Sequence, residues 1–283
     1  MQNSRIFFFV FVLFYQVHGY GQSLCWKISK TGAKHDSYVF GTMHSSDARL
    51  FKFSKGMEEA MDKSDVFVNE MDMENLDVMG IMKDMINPKN SIKATLKEKD
   101  YALLDSIVMA KFSVPVSVFD NIQPIIISSL IETTTGDEKD SSGLFLDLYL
   151  AQKSKANGKK VIGLETAAEQ IKALNALSYE DQIKLLVDAL HEEQKPKSDF
   201  DRMIDFYVKG EIDSLLAMSE EAKMPPRMME ELVIKRNKRM ADRMEKMFAE
   251  TSHFFTVGAL HLPGEKGVIN LLRKKGFTVT PVL

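Results

Sequence analysis

The sequence predicts an α/β fold, a mixed sheet flanked by helices with a mostly helical middle insertion. Short β-like runs alternate with longer helical patterns along the chain, which argues for helices packed on a mostly parallel or mixed sheet. The middle is nearly all helical, so it reads as an insertion or cap over that sheet. Composition agrees: 45% hydrophobic, 27% charged and 9% aromatic residues over 283 positions exclude disordered, collagen-like and coiled-coil chains. No repeat of solenoid length and no low-complexity linker divides the chain, so residues 22–283 read as a single domain.

Residues 1–21 read as an address. Arg5 precedes an apolar run from Ile6 to Tyr15. That run falls short of the roughly 20 residues a membrane span needs and suits the middle of a secretory signal peptide. Gly19 and Gly21 place small residues for cleavage after Gly21; the other reading is an uncut amino-terminal anchor. Leu24 before Cys25 disfavours a lipoprotein signal. No other stretch is long and apolar enough to cross a bilayer, so the expectation is a mature chain without a transmembrane helix, periplasmic or secreted.

From there the elements follow in order. Leu24–Ser29 and Ser37–Thr42 predict two strands joined by the turn-rich Lys30–Asp36, and Ser54–Lys63 a helix. Asp65–Met71 predicts a strand. Thr95 and Glu98 fit a capping box opening a helix to about Lys111. After a break at Pro115 come helical patterns over Val118–Thr133 and Leu144–Lys155. Lys159–Leu164 predicts a strand behind the turn pair Asn157-Gly158. Ala167–Met218 reads as helix with few breaks, and Pro225-Pro226 starts a long helix to about Glu250. Strand Phe254–Val257, helix Gly267–Lys275 and strand Phe277–Val282 close the chain.

Lys plus Arg number 37 against 40 Asp plus Glu, without the basic excess of a nucleic-acid binder. The single cysteine builds neither an internal disulfide nor a thiolate zinc site. A metal, if held, therefore needs histidine and carboxylate.

One pattern occurs twice. Ser37–His44 (SYVFGTMH) and His253–His261 (HFFTVGALH) each run a short apolar strand into Gly, two residues and His. Strand ends are where open α/β sheets bind ligands, and two imidazoles delivered this way can share one divalent ion. His35 sits in a polar turn, His191 in a charged, solvated-looking segment, and His253 reads as a strand-edge residue. Glu70 alternates with Val66 and Val68 on one strand face, and Glu165 follows the apolar run Val161–Leu164; each is either buried with a partner or just past the sheet edge in water. Asp72 and Glu74 are near alternatives to Glu70. Arg236 occupies the apolar seam of the long helix, between Leu232 and Met240, and either snorkels out or points into a polar site. Asn237 lies over Val233. Lys235, Lys238 and Arg239 read as a solvated face, and the 18 methionines as core filler.

Together GTMH, the glutamate of VNEMD, GLET at Gly163–Thr166, Arg236-Asn237 and the final VGALHLPGEKG resemble the TraB/GumN family, which includes the Tiki membrane metalloproteases. The resemblance covers about Leu24 to Leu283. It implies an α/β fold shared with erythromycin-esterase-like and haem-binding ChaN-like proteins. It also implies metal-dependent peptide-bond hydrolysis, with Mn²⁺ or Co²⁺ as the ion; Zn²⁺ is a further alternative outside the resemblance. Tiki proteins inactivate Wnt ligands and carry a carboxy-terminal membrane anchor; this chain ends at TVTPVL, so a Wnt-like substrate is not implied.

The expected mechanism places one divalent cation on His44, His261 and Glu70 with an open position for water. Glu165 is the expected general base, with the two glutamate roles exchangeable. Arg236 is expected to stabilise an oxyanion or orient Glu165, and Asn237 to contact substrate. The expected partner is a peptide or protein substrate, with no nucleic acid. The rival is a non-catalytic protein binding a peptide, pheromone or haem.

Overall fold

The computed structural model describes residues 22–72, 77–132, 140–192, 198–221 and 225–283. The expected signal peptide, Glu74 and Thr133 lie outside them. Six strands form one sheet: β1 (Cys25–Ser29), β2 (Ser37–Thr42), β3 (Val66–Met71), β4 (Lys160–Glu165), β5 (His253–Gly258) and β6 (Thr278–Val282). Their order is β4-β3-β5-β2-β1-β6. β4, β3, β5 and β2 are mutually parallel, and β1 runs antiparallel to both β2 and β6. The sheet is therefore mixed, as expected.

The helices are α1 (Lys55–Lys63), α2 (Val78–Met85), α3 (Ile92–Thr95), α4 (Glu98–Phe112), α5 (Pro124–Glu132) and α6 (Leu146–Ala156). Then come α7 (Ala167–Leu174), α8 (Tyr179–Glu192), α9 (Ser198–Val208), α10 (Ile212–Glu221), α11 (Pro226–Met228), α12 (Lys235–Phe248) and α13 (Val268–Lys274). One sheet face buries Val39, Val68, Phe255 and Val257 against Met240, Ala241 and Met244 of α12 and Leu272 of α13. The other buries Phe40, Phe67 and Phe254 against Met57 and Met61 of α1, Leu150 of α6 and Ile204 of α9. Phe254 stacks on both Phe67 and Phe40, at 6.0 and 6.3 Å between ring centres. The expected helical insertion has a core of its own, with Leu104 and Val108 of α4, Ile127 and Ile131 of α5, and Leu186 and Leu190 of α8.

Several expected boundaries change. Thr95 does not cap the long helix: Ser91 caps α3, and Thr95 closes it by donating its hydroxyl to Ser91 O at 2.8 Å. α4 then starts behind Lys97 without a side-chain cap. The capping box stands at Thr166 and Glu169, opening α7. Among its described residues, Ala167–Met218 is four helices. Ser178 interrupts it by accepting the Asp181 N–H, and Gly210 ends α9 at φ 72°, a left-handed conformation that glycine adopts without a Cβ clash. The helix after Pro225 contains a π turn, Met229–Ile234, that ends two residues before Arg236. Glu165 is the last residue of β4 and lies within the strand.

Candidate active site at the carboxyl edge of the sheet

Because β2 to β5 run parallel, their carboxyl ends share one edge. His44 lies two residues past β2, Glu70 is next to last in β3, Glu165 ends β4, and His261 closes a 3-10 turn, Ala259–His261, that follows β5.

The two glycines of the repeated motif do different jobs. A Cβ on Gly41 would lie 2.9 Å from Leu262 Cδ1 and 3.0 Å from Ala259 Cα. The bare backbone of β2 thus lets the turn carrying His261 seat directly on it. A Cβ on Gly258 would meet only ordinary contacts: His261 Cδ2 at 3.4 Å, Glu70 Oε2 at 3.5 Å and His261 Nε2 at 4.0 Å. Gly258 therefore marks the point where the carboxylate and the imidazole converge.

His261 is buried, and its Nδ1 lies 2.6 Å from Asn237 Oδ1. Asn237 Nδ2 donates to Lys266 O at 2.9 Å, which fixes the amide orientation. Oδ1 must then accept, so His261 carries its proton on Nδ1 and presents Nε2 as a bare lone pair. Burial pushes the ring down to about 4, outweighing the pull of Glu70. His261 is neutral at neutral pH.

Glu70 comes from the strand face it shares with Val68, beneath α12. Its Oε1 accepts from Arg236 Nη2 at 2.5 Å and Gln170 Nε2 at 3.1 Å; Oε2 accepts from Gly258 N at 2.7 Å. Burial pushes the carboxyl up, but the charges of His261, Arg236 and His44 and the Gly258 N–H outweigh it and bring it down to about 2. Glu165 is saturated. Its Oε2 accepts from Arg236 Nε at 2.9 Å and Nη2 at 2.7 Å, and its Oε1 from Arg239 Nε at 2.9 Å and from Arg239 Nη2. Arg243 in turn binds Glu169, at 2.6 and 2.8 Å, and holds its carboxyl at about 2.

Arg236 therefore points inward, and Arg239 does not belong to the solvated face expected for it. Positions 236, 239 and 243 follow the three-four spacing of one helix face, a signal present in the sequence. Lys235 and Lys238 are exposed, as expected. His253 is no edge residue: β5 is central, and His253 is buried, with Nδ1 2.7 Å from Thr251 O. Glu70 and Glu165 are both buried.

His44 stands at the rim, its side chain 52% exposed, with Nδ1 3.4 Å from Asp147 Oδ2. The Asp147 carboxylate raises it to about 9. Sequence reasoning did not single out Asp147 or Gln170. Asp147 lies in the first turn of α6 and Gln170 in α7 behind β4, and nothing local distinguishes either.

The donor chemistry suits a divalent cation: a neutral imidazole with a bare Nε2, oriented through Nδ1, beside an ionised carboxylate. Yet among the described residues no three His, Cys, Asp or Glu groups stand together as a ready-made metal site, and Arg236 already neutralises Glu70.

The family model described as TraB/PrgY/gumN matches residues 24–281. The chain belongs to the TraB/PrgY/gumN family. This family member is 24% identical to a protein of Nematostella vectensis named "Metalloprotease TIKI homolog", over 91% of the chain and 66% of that relative. It is 22% identical to "Metalloprotease TIKI2" of Danio rerio, over 91% and 60%, and 22% identical to "Metalloprotease TIKI1" of Homo sapiens, over 86% and 59%. The chain thus spans about three fifths to two thirds of these relatives' length. No solved structure matches it.

Proposed function

We propose that this protein is a metal-dependent peptide hydrolase working at the carboxyl edge of its parallel strands. The observation that carries the reading is His261: a buried, neutral imidazole whose tautomer is set by Asn237 and whose Nε2 converges with Glu70 Oε2 at Gly258. The names of the relatives support it.

His261 is a nitrogen donor, His44 becomes one when the ion displaces the proton on its Nε2, and Glu70, ionised down to about pH 2, is the carboxylate donor. A divalent ion held there supplies positive charge that polarises a scissile carbonyl and acidifies water. The ion is Mn²⁺, Co²⁺ or Zn²⁺. Glu165 has no oxygen lone pair aimed at a substrate proton, because two arginines take both oxygens; it is a positioning residue that fixes Arg236. Arg236 holds Glu70 ionised and in place. Asn237, 1% exposed and using both polar atoms internally, positions His261 instead of touching substrate. The substrate is a peptide or protein met outside the cytoplasm, since residues 1–21 read as an export signal. No helix among the described residues is long and apolar enough to cross a membrane.

The test is cleavage of a quenched-fluorophore peptide library by residues 22–283 with each of the three ions. His261→Ala and Glu70→Gln each reduce turnover at least about 100-fold. Cleavage at the wild-type rate in both variants overturns the hydrolase reading, and a haem Soret band lost in His44→Ala would favour the binding-protein alternative.

A further inference from the structure

Asp147 is out of keeping with its surroundings. It sits in the first turn of α6, between Leu146 and the core that Leu150 enters, on the opposite sheet face from α12. Its side chain is only 15% exposed, and among the described residues its Oδ1 is buried without a hydrogen-bond partner. Such a group costs about 1–3 kcal/mol, so an apolar residue would stabilise the helix start better. What the carboxylate does touch is His44, through Oδ2.

The backbone brings the two segments together. Leu146 N donates to Ser45 O at 3.1 Å, and Asp140 N to Ser46 O at 2.7 Å. Each partner of the Asp147–His44 pair thus neighbours a residue of the Leu146–Ser45 hydrogen bond, so helix start and loop are locked together.

We propose that Asp147 is the positioning residue of His44, holding the proton on Nδ1 so that Nε2 is the nitrogen offered to the site. Asn237 does the same for His261 from the other layer. The two imidazoles then present the same nitrogen, one backed by an anion from α6 and one by an amide from α12. The consequence for metal binding rests on the hydrolase reading above; the proton's position does not.

The experiment records ring ¹⁵N shifts of the metal-free protein over an alkaline pH series, read where the shifts show a neutral His44 ring, and Co²⁺ binding by calorimetry at neutral pH. Wild type and Asp147→Asn, which keeps an acceptor, show His44 protonated on Nδ1. Asp147→Leu moves the proton to Nε2, the preference of free imidazole, and weakens Co²⁺ binding about 10–100-fold. His261 keeps its Nδ1 proton in all three proteins and reports that the fold is intact. A His44 proton on Nε2 in wild type, or on Nδ1 in Asp147→Leu, overturns the proposal. A proton shift as expected with no Co²⁺ binding by any variant upholds Asp147 and removes the metal reading instead.

Discussion

At the scale of single residues, the site is built from groups whose partners set their charge. Asn237 spends both polar atoms, on Lys266 O and His261 Nδ1. Asn237→Ala leaves Lys266 O and the buried His261 Nδ1–H without their partner, and it lowers stability by about 2 kcal/mol in urea unfolding. It also frees the His261 ring, so Co²⁺ affinity falls with it. Protonation gives a second prediction for metal-free protein. His261 is lowered to about 4 and Glu70 to about 2. A lowered group stabilises the fold above its unfolded value and loses that contribution as pH falls through the folded one. Stability therefore drops between about pH 6.5 and 4 through His261, and again between about 4.5 and 2 through Glu70. His44, raised to about 9, acts in reverse: its contribution is full below about 6.5 and lost as pH rises towards 9. The urea midpoint thus peaks near neutral pH. In His261→Gln the slope between about 6.5 and 4 flattens; an unchanged slope would show that the ring is not buried neutral.

At the scale of elements, close backbone approaches hold the edge together. A Cβ on Gly163 of β4 would sit 2.2 Å from Asp72 N, whose N–H donates to Glu165 O at 2.8 Å. That bond ties the exit of β3, just after Glu70, to the end of β4. Gly163→Ala forces these backbones apart and costs about 3 kcal/mol, with peptidase activity lost together with stability. Gly258→Ala meets nothing closer than 3.4 Å and folds normally, while the longer side chain of Gly258→Leu crowds Glu70 and His261 and lowers the thermal midpoint. The π turn before Arg236 serves the same edge, since a widened turn resets which face of α12 carries its arginines towards β4.

At the scale of the whole molecule, the sheet is a frame that gathers four distant segments. Residues 44, 70, 165 and 261 lie along one edge because four parallel strands end there, with Glu70 and Glu165 joined through Arg236 and His44 at the rim beside Asp147 of α6. A cation bound there joins both layers and raises the stability of the entire fold. At 100 times its dissociation constant, Co²⁺ adds about 2.7 kcal/mol, read as a rise in thermal midpoint that EDTA reverses and His261→Ala abolishes. A midpoint indifferent to Co²⁺ would speak against a cation at this edge.

Periodicity and turn chemistry by themselves determined the alternation of strands and helices, all six strands to within a residue at each end, and the separate helical middle. They also singled out Glu70, Glu165 and Arg236, because a charge inside an apolar pattern is legible without coordinates. Sequence did not reveal that Glu165 is spent on two arginines, that Arg239 turns inward, that His253 lies in a central strand, or that Thr166 and not Thr95 heads the capping box. Those outcomes depend on strand order and helix packing. Gly41 shows why: its glycine is needed for Ala259 and Leu262, more than 200 positions away. Local sequence fixes what a residue can donate or accept, but only the packed sheet decides which partner arrives.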